Sequence, residues 1–78
     1  MTNIYPNPNN GEFTIISGME VKGSVKLTVM NAIGEEVYKQ VYAADNEYKI
    51  NLRQLSTGFY CLKLESEKIT AYRKIIIN

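Results

Sequence analysis

Apolar and polar residues alternate with a period of two along most of the chain, and no helical period persists beyond a few residues. Such alternation places apolar side chains on one face of a strand and polar ones on the other. About seven short strands, spaced about 8–12 residues apart, predict an all-β fold, an antiparallel sandwich in which each sheet buries one face. The alternating apolar positions are Phe13 and Ile15; Val25, Leu27 and Val29; Val37 and Val41; Ile50 and Leu52; Tyr60, Leu62 and Leu64; and Ile75 and Ile77.

Turn-forming residues separate the predicted strands. Asn31 and Gly34 hold the first and last positions of a four-residue stretch, where a type I turn favours them, so we expect a hairpin there. We expect two more hairpins, at Asp45-Asn46 and at Ser66-Glu67-Lys68. A longer loop is predicted between Gly18 and Gly23.

A tightly built corner is predicted after the strand that ends near residue 52. Leu52 and Leu55 are three residues apart and can both point inward from one turn. Gly58 permits a positive φ before the chain enters the next strand. Tyr60 then resembles the tyrosine corner of sandwich domains, in which the hydroxyl bonds back to upstream backbone. We therefore interpret Tyr60 as a structural residue.

The two ends of the chain differ in their capacity to pair with other strands. Both prolines, Pro6 and Pro8, lie in the opening segment, lack donors on the same edge of an extended chain and favour extended geometry just before them. This predicts an edge strand that pairs on one side only. The stretch from Lys74 to Asn78 is apolar, β-prone and free of proline, so at a sheet edge it is expected to add to another protein's sheet.

Composition argues against several classes of function. The net charge is +1 without a basic stripe, which disfavours nucleic acid as a partner, and the longest apolar run is too short for membrane insertion. The chain has no His, so Ser–His–Asp and Cys–His catalysis is unavailable and we expect no enzyme. No cofactor or metal is predicted, since Asp45 to Glu47 reads as a plain turn rather than a calcium site. Cys61, the only cysteine, is interpreted as a small core or interface residue.

Six tyrosines leave a second class of function open. Tyr38, Tyr42 and Tyr48 could share an outer sheet face and stack on sugar rings, as in an adhesive or carbohydrate-binding module. The same residues could instead form cross-strand aromatic pairs that stabilise a small sheet. A domain that only braces a larger protein is a third possibility.

Four stretches, which together span nearly the entire chain, resemble a known family. They are YPNPNNGEFTI, NAIGEEVY, LRQLSTGFYCLKL and YRKIIIN, in that order and at familiar spacing. They are similar to the C-terminal sorting domain, type A, of type IX secretion cargo (the Por secretion system). Phe59 and Cys61 depart from the usual residues of the third stretch, and both departures are tolerable.

The resemblance implies a small immunoglobulin-like sandwich without catalytic activity, at the end of a larger protein exported by Gram-negative bacteria. Residues 1–78 would form a single domain, with 1–4 the end of an upstream linker. The parent would cross the periplasm, reach the outer-membrane translocon, and end at the cell surface or outside the cell. A surface sortase-like protease would commonly remove the domain, and the cargo would be released or joined to lipopolysaccharide.

The same resemblance implies which residues are recognised. The motif residues carried onto this sequence are Tyr5, Pro6, Asn7, Pro8 and Gly11; Asn31 and Gly34; Leu55, Gly58 and Tyr60; and Lys74, Ile75, Ile76 and Ile77.

The β-prone C-terminal stretch leads to one more expectation. The isolated domain is expected to pair edge to edge or to exchange strands in a homodimer.

Overall fold

The structure, a computed structural model, describes residues 2–8, 10–17, 23–67 and 69–78. Over these ranges the chain forms seven strands and no helix, and every strand pair is antiparallel. The strands are β1 (Asn3–Tyr5), β2 (Glu12–Ile16), β3 (Ser24–Asn31), β4 (Glu36–Ala43), β5 (Glu47–Asn51), β6 (Gly58–Glu65) and β7 (Thr70–Ile77). A three-stranded sheet has the order β1-β2-β5 and a four-stranded sheet the order β4-β3-β6-β7. The predicted immunoglobulin-like sandwich is confirmed.

The two sheets bury their apolar faces in one shared core. Alternate residues of β2, β3, β5, β6 and β7 point inward, as a period of two requires. Burial of these side chains is the main favourable contribution to folding in so short a chain. The core residues are Phe13, Ile15, Val25, Leu27, Val29, Tyr48, Ile50, Leu52, Tyr60, Leu62, Leu64, Ile75 and Ile77.

Two of the three predicted hairpins are confirmed. The turn at residues 31–34 lies between the paired strands β3 and β4, and β6 pairs in the same antiparallel way with β7. Lys68, part of the turn predicted between β6 and β7, lies outside the described residues. The hairpin at Asp45-Asn46 is wrong, because β4 and β5 belong to different sheets and this connection crosses between them. β5 pairs with β2 instead, which lets Tyr48 and Ile50 enter the core from the three-stranded sheet. The predicted loop between Gly18 and Gly23 lies mostly outside the described residues.

A β-bulge reverses the predicted faces of β4. Val29 pairs with Tyr38, but the next residue of β3, Met30, pairs with Glu36. The extra residue on β4 changes which side chains face inward from that point. Tyr38 therefore packs against the core, whereas Val41, predicted to share an apolar face with Val37, is 56% exposed.

The prolines follow the edge strand and do not lie within it. β1 stands at the edge of the three-stranded sheet, as predicted, but its pairing with β2 ends at Tyr5 opposite Thr14. Residues 6–8 then bend away, and both Tyr5-Pro6 and Asn7-Pro8 are cis. Since proline has no N–H, neither Pro6 nor Pro8 can donate to a continued ladder. The prediction of a proline-containing strand is therefore wrong.

Gly11, just before β2, lies where the backbone comes close to the residues that follow β5. Its φ is +103°, and its carbonyl accepts a hydrogen bond of 2.7 Å from the N–H of Leu52. A Cβ at this position would lie 2.8 Å from Cα of Arg53 and 2.9 Å from the Leu52 oxygen. Neither neighbour can move easily, because both atoms belong to the backbone. Only glycine fits this approach.

Gly11→Ala is expected to lower the free energy of unfolding more than Gly34→Ala does. Gly34 has a comparable φ of +88°, but no described atom lies within 4 Å of its Cβ position. Gly34→Ala therefore carries only the cost of a left-handed side chain, about 1–2 kcal/mol, and Gly11→Ala adds the backbone clash. Urea denaturation of both variants measures the difference. Equal losses would show that the close approach at Gly11 is unimportant.

Candidate functional site

Four motif-bearing segments meet at one end of the four-stranded sheet. Asn31, at the end of β3, pairs with Tyr60 on β6, and Tyr60 pairs with Ile75 on β7. From the opening segment, Asn7 forms hydrogen bonds to the backbone of β7. We call this surface the motif end, defined by Asn7 and residues 31–34, 56–60 and 74–77.

The turn at residues 31–34 is built around the Asn31 side chain. Its Oδ1 accepts hydrogen bonds from the N–H groups of Ile33 (3.1 Å) and Glu35 (2.9 Å), and its Nδ2 donates to the Glu35 carboxylate. The N–H of Gly34 donates to the Asn31 carbonyl at 3.0 Å. These bonds explain why Asn and Gly occupy the two ends of the turn. The turn holds the Ile33 side chain outward, where it is 80% exposed.

The corner before β6 confirms the structural role predicted for Tyr60. The Tyr60 hydroxyl donates a 2.6 Å hydrogen bond to the Ser56 carbonyl, and its ring is only 8% exposed. Leu52 is fully buried, Leu55 packs against the core, and the Leu55 N–H donates to the Leu52 carbonyl. Gly58 has the expected positive φ, +156°. This geometry is the tyrosine corner of sandwich domains.

A shallow, open depression of about 280 Å³ lies between the turn and the corner. The side chains of Ile33 and Phe59 stand beside it, and Phe59 is 59% exposed because Tyr60, its neighbour on β6, points inward. Sequence reasoning missed Ile33 as a binding position, whereas Phe59 lies between Gly58 and Tyr60 in a corner that the family resemblance marks for recognition. An isoleucine inside a hairpin turn, where polar residues are usual, was the available signal. The depression is lined by Asn31, Ala32, Ile33, Thr57, Gly58, Phe59 and Tyr60.

The C-terminal isoleucines serve two different purposes. Ile75 and Ile77 are buried in the core, so they are structural residues. Ile76 lies on the opposite face of β7, half-buried, with Phe59 as its partner on β6. Lys74 is exposed on that same outer face. The predicted alternation along this strand is confirmed, and removal of the last five residues would also remove part of the core.

The tyrosines do not form the outer platform that a sugar site requires. Tyr48 is buried, and its ring centroid lies 5.5 Å from that of Tyr42 in a tilted arrangement. The Tyr38 and Tyr42 hydroxyls are 2.9 Å apart, and both rings pack against the core. The prediction of an outer stacking surface made of these residues is therefore wrong. The bulge in β4 is the reason, because it places both rings on the inner face.

Other candidate groups have ordinary surroundings. Cys61 is half-buried on the outer face of β6, opposite Met30 and Lys74, so it does not belong to the core. The Asp45 carboxylate accepts the N–H of Asn46 at 2.6 Å. Across the described ranges, no three His, Cys, Asp or Glu residues lie together where a metal could bind. The same ranges contain no helix long and apolar enough to cross a membrane.

The chain matches the family of secretion system C-terminal sorting domains over residues 3–78, so it belongs to that family. It is a C-terminal sorting domain of the type IX secretion system, as the motifs predicted. Membership marks it as a signal for export toward the cell surface or the extracellular space. A comparison with curated proteins found no match.

Tyr60→Phe is expected to lower the free energy of unfolding by about 1–2 kcal/mol, because the part-buried Ser56 carbonyl loses its donor. Tyr5→Phe is the matched control, since Tyr5 is exposed and lies outside the core. Denaturant titration of both variants gives the comparison. A loss at Tyr60 no larger than that at Tyr5 would contradict a stabilising corner bond.

Burial raises the pKa of Tyr42 above its ordinary value of 10.0, and the hydroxyl of Tyr38 raises it further. The folded protein therefore holds this proton more tightly than the unfolded chain does. Stability from this group is complete below about pH 10 and is lost as the pH rises further. Wild type should lose stability above that pH more steeply than Tyr42→Phe, measured by thermal unfolding. Parallel curves for the two proteins would reject the assignment.

Proposed function

We propose that this domain carries its parent protein to the type IX outer-membrane translocon, and that the motif end is the surface the secretion machinery binds. One observation supports this most strongly. Segments far apart in the chain meet there and expose Ile33 and Phe59 around one depression. Exposed apolar residues gathered in one place are typical of protein–protein contact sites.

The residues around Ile33 and Phe59 hold these two side chains in place. Asn31 and Gly34 stabilise the turn that exposes Ile33, and the Tyr60 corner stabilises the strand that exposes Phe59. Rigid support of this kind reduces the entropy lost on binding, since the apolar side chains are already placed. The motif residues would thus act mainly as supports, and Ile33 and Phe59 would make the contact.

The remaining steps of sorting are proposed on the basis of the family. Residues 1–78 act as one non-catalytic domain without a cofactor. Residues 2–4 belong to the folded domain and not to the expected linker, because Thr2 is buried and β1 begins at Asn3. The parent passes through the periplasm and reaches the outer surface or the medium. A surface sortase-like protease then cuts upstream of Tyr5, and the cargo is released or joined to lipopolysaccharide. Tyr5 and the prolines are exposed, which is consistent with access near that boundary.

Carbohydrate binding is not proposed. It depended on Tyr38, Tyr42 and Tyr48 sharing an outer face, and those rings pack inward. A sorting signal is also the role that membership of the family indicates.

The double variant Ile33→Ser, Phe59→Ser is expected to reduce surface delivery of a fused reporter by about tenfold or more, the effect of losing a central contact. Residues 1–78 are fused to a periplasm-directed fluorescent protein in a host that has the type IX machinery. Surface and periplasmic fluorescence are then measured separately.

The matched control is Val41→Ser, an exposed apolar residue on β4 whose partner is Lys26, far from the motif end in the β3 register. It should leave delivery unchanged. Circular dichroism verifies that all variants remain folded. Normal delivery of the double variant would reject the motif end as the binding surface, and periplasmic retention of the wild-type fusion would reject the sorting function itself.

A further inference from the structure

The outer edge of β7 is the place where the four-stranded sheet stops. β7 is last in the order β4-β3-β6-β7, and its eight residues pair with β6 on the other side. Lys74 and Ile76 direct backbone groups to this outer edge, since the Lys74 carbonyl and the Ile76 N–H bond to a residue outside the sheet. An unprotected edge of this length pairs readily with another strand.

The Asn7 side chain forms hydrogen bonds with both of those backbone groups. Its Nδ2 donates to the Lys74 carbonyl at 3.1 Å, and its Oδ1 accepts from the Ile76 N–H at 3.0 Å. A carbonyl and an N–H two residues apart are the pair that one residue of an added parallel strand would bind. One carboxamide therefore replaces one residue of a strand. Pro6 and Pro8, on either side of Asn7, have no N–H with which to extend the pairing.

A second contact joins the same two ends of the chain. The Arg73 Nε donates to the Thr2 carbonyl at 3.0 Å, and its guanidinium also donates to the Tyr72 carbonyl at 2.7 Å. Thr2 is buried. The opening segment is thus held to β7 on both sides of β1, at Thr2 and at Asn7.

We propose that Asn7 blocks the outer edge of β7 and so prevents a second copy of this chain from pairing with it. Without its carboxamide, the outward groups of Lys74 and Ile76 pair with β7 of another molecule in an antiparallel, two-fold arrangement. Such an interface is self-complementary, since the same edge is used twice. A register that sets Lys74 opposite Ile76 of the second copy avoids placing two lysines together. The net charge of +1 provides little repulsion between copies.

The test is the oligomeric state of the 78-residue chain in solution. Sedimentation velocity over a range of concentrations compares wild type, Asn7→Ala and the double variant Asn7→Ala, Ile76→Pro. Wild type is expected to stay monomeric, and not to form the homodimer expected from the sequence, because Asn7 already binds the edge groups of β7. Asn7→Ala is expected to self-associate at least about tenfold more tightly. The double variant is expected to return to monomer, because proline removes the outward N–H. That N–H bonds to Asn7 and not to β6, so the β6–β7 ladder is kept.

Two results would overturn the proposal. One is a folded Asn7→Ala variant that remains as monomeric as wild type. The other is dimerisation that persists in the double variant, which would place the contact elsewhere. Amide hydrogen exchange on wild type gives a test that does not depend on the variants folding. The Ile76 amide should be protected to the same degree as the ladder amides of β7. Exchange at the rate of a free amide would show that Asn7 does not block this N–H, and would overturn the proposal.

Discussion

The rest of the structure depends on one constraint, which is that a chain of 78 residues must bury one face of each of two small sheets. Because strand side chains alternate, every inward residue forces its neighbours outward. Tyr60 points into the core, so its neighbour Phe59 points outward. Ile75 and Ile77 also point into the core, so Ile76 between them points outward. The outward position of Phe59 and Ile76 at the motif end is thus a direct consequence of core packing.

Because core packing determines which residues are exposed, the family's motifs contain two kinds of residue: those that build the fold and those that the fold exposes. Gly11 permits a close approach of two backbone segments, Gly34 a left-handed turn, and Tyr60 a bond that closes a corner. These residues make the fold. Ile33 and Phe59 are displayed by it. A motif read from sequence mixes the two kinds, because both are tied to the same turns. Under the proposed function, most motif positions support a surface formed by a few others.

The features predicted well were those determined within a few residues. The Asn31–Gly34 turn depends on bonds that span four positions, and the Tyr60 corner on a bond between residues four apart. The wrong predictions concerned features that depend on pairing between strands distant in the chain. Asp45-Asn46 has the composition of a hairpin turn, but β5 completes the other sheet. The faces of β4 depended on a bulge opposite Val29 and Met30, which nothing in its own alternation indicates.

The sequence by itself determined the strand positions, the inward residues of most strands and the family, because periodicity and turn chemistry act locally and the motifs lie in linear order. Only the tertiary structure decided which strands share a sheet and what the motifs jointly form. Asn7 meets Lys74 and Ile76 across 67 and 69 positions of chain. No local pattern specifies such a contact, because it exists only after the two sheets have packed and brought both ends of the chain to one edge.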